Sequence, residues 1–378
     1  MRIANIFEEG KLGGPQVYII RLASSLRDKV DMTLIIPDEN SDSFRAQCDA
    51  TGLEYKTMKI SRITKEWKVA VRYLMLFPWE VMRLIKLFGK SNYDVVYICG
   101  GSWQYKGAIA GKLAGKKVLW HINDTFVPWV FRKMFSLLSP LADGYVYASE
   151  RSRSYYSPLV NKDKPEFVIP APVDTTFFDP HLQHSREEQL VRQWSGKIVV
   201  GTVANINPIK GLEIFIRMAA ASNIQADNLH FVVVGEIYKV QRLYFLQLQQ
   251  LCNRLGVGNI EFVGGRSDVR PLLQRFDIYV CSSWAESSPL SVWEAMAMEK
   301  PIISTNVGDV SLHVRDGHNG FIADVGGSVV MSERLITLVN EEGMRPEFGR
   351  RSREIAVREL NITQCAKSHL DAYTRIVS

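Results

Sequence analysis

Two acidic residues, Glu286 and Glu294, stand with seven residues between them in Ser-Ser-Trp-Ala-Glu-Ser-Ser-Pro-Leu-Ser-Val-Trp-Glu-Ala-Met-Ala (282–297). The apolar run 277–281 before them reads as a buried strand, and the residues after Pro289 read as a helix. One acid therefore lies in a serine-rich loop and the other one turn inside the helix. The first turn of a helix presents N–H groups without intrahelical partners at the positive end of the helix dipole. That end suits the phosphates of a nucleotide. Here the amides belong to Leu290 and Ser291, while Pro289 has no N–H and stiffens the loop through its fixed φ. A carboxylate at Glu294 accepts two hydrogen bonds, as a ribose diol requires. Glu286, in the loop, offers a second carboxylate that can accept hydrogen bonds.

Further candidates follow other strand-like runs. Lys210 closes the loop 205–211, ahead of a helical pattern over 212–221. Its charge could meet and neutralise a diphosphate. Gly13-Gly14 follows the first apolar run, and glycine lets backbone approach a phosphate or sugar closely. His121 ends the run 117–121; on its own it reads as a strand-end histidine satisfied by its neighbours. Arg266, in Val-Gly-Gly-Arg-Ser (263–267), reads equally as a surface arginine. Ser149 and Glu150, after the run 144–148, are further candidates.

These residues need a scaffold that brings strand ends together. Runs at 3–7, 32–36, 94–99, 117–121 and 144–148 read as strands, with a helix at 16–27. The pattern restarts at 198–204, 230–235, 260–263, 278–281 and 302–304. Strands alternating with helices predict parallel α/β sheets. Two such series predict two Rossmann-like domains, divided near Ile169-Pro170-Ala171-Pro172-Val173-Asp174 and the polar segment 179–197. In open sheets of this kind ligands bind beyond the carboxyl ends of the strands, and every candidate sits there.

The chain has 378 residues, 46% hydrophobic and 23% charged, which is ample for two cores. No apolar run of about 18 residues predicts a membrane-spanning helix. The N-terminal stretch reads as a first strand, not a signal peptide. Five scattered cysteines without metal-ligand spacing predict free thiols in a reducing cytoplasm. Residues 1–175 hold 25 Lys/Arg and 18 Asp/Glu, a balance of +7, and the remainder carries −1. A basic half favours acidic partners: anionic lipid or a pyrophosphate-linked acceptor. Nothing resembles a nucleic-acid-binding motif, so nucleic acid is not expected. Residues 62–90 interleave Arg62, Lys65, Lys68, Arg72, Arg83, Lys86 and Lys90 with Trp67, Tyr73, Leu74, Phe77, Trp79 and Phe88. Such helices can lie on an anionic membrane or pack a core and solvate the other face. Pro78 is expected to break this segment into two helices.

The E-x7-E spacing, followed by Glu-Ala-Met-Ala (294–297), Lys-Pro-Ile-Ile-Ser-Thr (300–305) and Asp-Gly-His-Asn-Gly-Phe (316–321), resembles the retaining GT-B glycosyltransferases of family 4. Gly-Thr-Val-Ala (201–204) and Lys210-Gly211 precede them in the family's order. The resemblance covers almost the whole chain. It implies an α/β GT-B fold, with residues 1–178 binding acceptor and 179–362 binding a nucleotide-sugar donor. It also implies a last helix, about 363–377, that returns to the first domain.

The implied reaction retains the anomeric configuration and uses no metal and no cofactor beyond the UDP- or GDP-linked sugar. The acceptor would be a carbohydrate or a lipid-linked sugar in polysaccharide or glycolipid assembly. By resemblance, Gly13 and Gly14 lie under the donor diphosphate, His121 beside the transferred sugar, and Arg266 where the base-binding loop passes. One departure matters. An arginine usually stands five residues before the lysine, and this chain has Asn205, which leaves one cation where the family has two. Two rivals stay open: a nucleotide-sugar epimerase, which needs no acceptor, and a non-catalytic partner subunit that only binds nucleotide sugar.

Overall fold

The computed structural model of the chain describes residues 1–63, 67–182 and 193–378. Lys65 and residues 183–192 of the polar segment lie outside the described residues. The chain divides into two compact units, Met1–Pro172 with Ile362–Ser378, and Val173–Asn361. The first division falls ahead of the 178/179 boundary expected. Val173 already belongs to the second unit, because its N–H bonds the Leu360 carbonyl at 2.8 Å and it bridges Asn361.

The first unit is built on seven parallel strands. They are β1 (Arg2–Ile6), β2 (Asp31–Pro37), β3 (Tyr55–Met58), β4 (Val95–Cys99), β5 (Lys117–Ile122), β6 (Gly144–Tyr147) and β7 (Glu166–Val168). Their order is β3-β2-β1-β4-β5-β6-β7. Strand β4 is buried along its full length, as expected of a parallel strand covered on both faces. The helices Trp67–Lys90, Tyr105–Leu113 and Trp129–Leu138 share one core with β1, β4, β5 and β6 on one face. The helix Ile362–Val377 packs against Gly14–Ser25 in the same unit.

The second unit repeats the plan with β8 (Ile198–Val203), β9 (Leu229–Val234), β10 (Ile260–Gly264), β11 (Ile278–Cys281), β12 (Ile302–Thr305) and β13 (Gly320–Ala323). All six pair in parallel, in the order β10-β9-β8-β11-β12-β13. Strand order reverses between β1 and β4 in the first unit and between β8 and β11 in the second. In each sheet, such a switch point leaves a crevice outside the carboxyl ends of the strands.

Pro78 does not divide its segment: Trp67–Lys90 is one helix of 24 residues. A proline inside a helix removes one hydrogen bond and crowds the carbonyl four residues back. Here an apolar stripe (Tyr73, Val81, Leu84, Phe88) is buried on both sides of Pro78, and this packing carries the helix through. Glu80, on the same inner face, lies 2.6 Å from the fully buried Lys106 ammonium. The outer face exposes Trp67, Leu74, Met75, Trp79 and Met82. On the helix Trp129–Leu138, Trp129, Val130, Met134 and Leu137 are exposed in the same way, with Phe126 just before it.

Candidate active site

At the second unit's switch point, the loops after β8 and β11 are joined to each other. The Trp284 N–H bonds the Ile209 carbonyl at 2.8 Å, and the Ser282 hydroxyl bonds the Lys210 carbonyl at 3.1 Å. Gly211 has φ +59°, and a Cβ there would stand 2.1 Å from the Ser282 carbonyl oxygen, so the position requires glycine. This junction places Lys210 Nζ 2.6 Å from Glu286 Oε1. The Ser283 hydroxyl donates to the same oxygen at 2.7 Å. Burial pulls the Lys210 ammonium down, but the Glu286 carboxylate outweighs it and holds Lys210 above its ordinary range. The lysine therefore stays charged.

The loop continues into the helix Leu290–Ala297 with Pro289 at its N-cap. No intrahelical carbonyl is available to the Leu290 and Ser291 amides at such a start. Glu294 is 9% exposed on the second turn. Gly308, at φ +53°, backs the loop: a Cβ there would lie 2.0 Å from the Ser287 carbonyl, and Asp309 N–H bonds that carbonyl at 3.1 Å. Asn205 is tied to the backbone, its Oδ1 facing the Glu236 N–H at 3.4 Å. Arg266 turns back onto the carbonyls of Val263 and Gly265 in its own loop.

Three residues join the site that the sequence did not point to: Ser283, Gly308 and Glu213. Glu213 bonds Trp284 Nε1 at 2.6 Å and Tyr244 at 2.5 Å, and so fixes the loop that carries Glu286. The serine-rich strand end is the available signal for Ser283. None exists for Glu213, whose partners are 31 and 71 residues away.

In the first unit, Gly13 caps the helix Gly14–Ser25 with an extended backbone, and Gln16 ties the loop by bonding the Glu9 carbonyl at 3.1 Å. Glu8, between β1 and that loop, is buried and bonds the Lys106 N–H at 2.9 Å. Burial pushes the Glu8 carboxyl up to about 7 against the pull of Lys106. His121, near the end of β5, is buried with its Nδ1 2.6 Å from the Tyr97 hydroxyl. Burial, with His369 adding to it, pushes the His121 imidazole well below its usual range, so the ring is neutral. Ser149 has a structural partner. It caps the helix Glu150–Tyr156 by accepting from the Ser152 N–H at 3.0 Å, while Glu150 pairs with Arg153.

Among the described residues no group of three or more His, Cys, Asp or Glu is placed to hold a metal ion. No helix among them is long and apolar enough to cross a membrane. All five cysteines are free and buried.

Residues 186–355 match the model of the glycosyl transferases group 1, and residues 12–177 match that of glycosyltransferase family 4. The chain belongs to the group 1 glycosyltransferases. Over 96% of its length, this glycosyltransferase is 22% identical to the N,N'-diacetylbacillosaminyl-diphospho-undecaprenol alpha-1,3-N-acetylgalactosaminyltransferase of Campylobacter jejuni, covering 97% of that protein. It is 23% identical to the UDP-Gal:alpha-D-GlcNAc-diphosphoundecaprenol alpha-1,3-galactosyltransferase of Escherichia coli, over 79% of each chain. Among solved structures, HepE of Anabaena in complex with UDP-glucose superposes with a TM-score of 0.85 at 20% identity, covering 99% of this chain and 100% of that one. Sucrose-phosphate synthase of Thermosynechococcus elongatus superposes at 0.80 and 16% identity, covering 100% and 99%. Both likenesses support the GT-B fold.

Within the group 1 glycosyltransferase, part of the family's sequence signature is structural. In Asp-Gly-His-Asn-Gly (316–320), the buried Asn319 side chain accepts from the Arg315 N–H at 2.7 Å and donates to the His313 carbonyl at 3.2 Å. This closes the turn that starts β13. Lys300 donates to the Gln274 carbonyl at 2.9 Å, and burial pushes it down to about 8. It ties the start of β12 to the end of the helix Arg270–Arg275.

Proposed function

We propose that this glycosyltransferase moves a sugar from a UDP- or GDP-linked donor to an acceptor hydroxyl in polysaccharide or glycolipid assembly, with retention at the anomeric carbon. The observation that carries the reading is the Lys210–Glu286 pair at 2.6 Å, seated at a switch point beside a helix start that bears Glu294. Lys210 and the Leu290 and Ser291 amides would meet the diphosphate. Glu294 would bind the ribose and Glu286 the transferred sugar; Gly13, Gly14 and His121, in the first unit, are proposed as donor contacts on the resemblance alone. As the glycosyl bond breaks, positive charge develops on the sugar and negative charge on the departing diphosphate. A fixed cation and fixed N–H dipoles stabilise that charge without reorganising. The acceptor hydroxyl then attacks from the same face, its proton passing toward the leaving phosphate. Asn205 is uncharged and Arg266 turns onto carbonyls of its own loop, so among the candidate residues Lys210 is the cation proposed for this role.

Incubation with a panel of nucleotide sugars, with and without undecaprenyl-diphosphate-linked acceptors, tests the reading. Nucleotide release should depend on acceptor. Interconversion of the sugar without acceptor would support an epimerase instead, and tight nucleotide binding without turnover would support a partner subunit. Lys210 and the helix start supply the positive charge, so activity is expected to persist in excess chelator. Complete loss, restored by manganese or magnesium, would contradict metal independence.

The first unit also suits a peripheral position on a membrane. The two helices that expose Trp67, Trp79 and Trp129 at about 70% carry Lys68, Arg83, Lys86, Arg132 and Lys133. Their one acid, Glu80, is buried against Lys106. Aromatic anchors beside these cations fit an anionic bilayer, each cation contributing about 1 kcal/mol near the surface. The protein should therefore pellet with anionic vesicles and not with neutral ones, and less so as salt rises. Lys68→Glu, Lys86→Glu and Lys133→Glu together should weaken pelleting and leave nucleotide binding intact. Equal recovery on both vesicle types at low salt would remove the electrostatic argument.

A further inference from the structure

The face of the first unit's sheet covered by the helices Gly14–Ser25 and Ile362–Val377 holds a line of buried rings. The Tyr97 hydroxyl lies 2.6 Å from His121 Nδ1 and 3.0 Å from His369 Nε2. The Tyr18 hydroxyl lies 2.8 Å from His369 Nε2, and His369 Nδ1 lies 3.0 Å from the Cys365 carbonyl oxygen. None of the four rings is more than 3% exposed.

The protons can be placed in order. A carbonyl oxygen only accepts, so His369 carries its proton on Nδ1 and accepts at Nε2. Two hydroxyl protons then remain, with His369 Nε2 and, when it carries no proton, His121 Nδ1 to accept them. Pairing each with its shorter contact sends the Tyr18 proton to His369 and the Tyr97 proton to His121 Nδ1. In that order His121 carries its own proton on Nε2. That atom is buried and meets no hydrogen-bond partner among the described residues. Burial pushes both imidazoles down, His369 to about 4, so neither ring is doubly protonated at neutral pH.

We propose that Tyr97, seated by Tyr18 and His369, is a positioning residue that holds His121 in its Nε2–H tautomer, so that His121 serves the bound donor only by giving a hydrogen bond. The proposal rests on the transferase reading for the identity of the acceptor atom, an oxygen of the donor sugar or phosphate. The opposite tautomer would present a lone pair and could not bond a ring, glycosidic or phosphate oxygen. Through His369, the last helix of the chain sets the chemistry of a residue on the fifth strand.

Histidine-labelled ¹⁵N protein tests this without any reaction. Long-range proton–nitrogen correlation distinguishes the two tautomers, and the His121→Asn variant identifies the His121 signals. The wild-type protein should show neutral His121 protonated at Nε2. Tyr97→Phe should yield mixed tautomers or the Nδ1–H form, with kcat reduced roughly five- to tenfold for one lost hydrogen bond and nucleotide Kd unchanged. Tyr18→Phe leaves one hydroxyl proton contested between His369 and His121, and should also mix the His121 tautomers if Tyr97→Phe does not fold. An Nδ1–H wild type overturns the proposal, as does an unchanged Nε2–H tautomer in either variant that folds. Failure of every nucleotide sugar to turn over, with the tautomers as expected, would instead sink the transferase reading and leave the proton order standing.

Discussion

Replacing Lys210 with alanine is expected to reduce turnover at saturating donor about a hundred- to thousandfold, the usual loss for one preorganised group facing charge that grows in the transition state. The lysine is well placed for such a role. It sits on a loop that Gly211 and Ser282 lock to the neighbouring strand end, and Glu286 holds its ammonium by a 2.6 Å contact. Asn205 is uncharged and supplies no second cation beside it. The loss should fall on kcat more than on KM, because the negative charge on the diphosphate increases as the bond breaks. Circular dichroism and nucleotide binding would establish that the variant is folded. A rate within about threefold of wild type would remove Lys210 from the mechanism.

Replacing Glu294 with alanine should act on binding instead. Losing a hydrogen bond to a charged group costs roughly 1.5–3 kcal/mol, or about ten- to hundredfold in affinity. Glu294 lies one turn into the helix Leu290–Ala297, nearly buried, where its carboxylate would face the ribose once the diphosphate occupies the helix start. Calorimetry with UDP and 2′-deoxy-UDP makes the test specific. The wild-type protein should prefer the ribonucleotide, and Glu294→Ala should lose that preference. Equal affinity of variant and wild type for UDP would place the ribose elsewhere.

Much of this arrangement is legible in the chain because it is local. Strands β1, β2, β4, β8, β9, β11 and β12 are largely apolar runs, as buried parallel strands must be. The strand–loop–helix unit that carries Glu286 and Glu294 is one unbroken stretch from Ile278 to Ala297. Strands β3, β7 and β13 are hidden for a physical reason. Tyr-Lys-Thr-Met and Glu-Phe-Val lie at sheet edges and are only partly buried, and Gly-Phe-Ile-Ala is too short to show a period. Pro78 misleads because its cost is local and the packing that offsets it is spread from Tyr73 to Phe88.

Side-chain partnerships are not legible at all. Lys210 and Glu286 are separated by 76 residues, and Tyr97 and His369 by 272. No spacing rule connects them, because the sheet topology, not the sequence distance, makes them neighbours. The exposed stripe on Trp129–Leu138 escapes for another reason: apolar residues on a helix read as core until the neighbouring elements are known.

The proposed transfer of a sugar with retained configuration, with Lys210 and the helix start at Leu290 acting in place of a metal, has one direct readout. It is the anomeric configuration of the product, measured by proton NMR after reaction of an α-linked nucleotide sugar with a lipid-linked acceptor. An α-linked product is expected, formed in step with nucleotide release and lost with Lys210→Ala. A β-linked product, or an altered nucleotide sugar formed with no acceptor present, would contradict it.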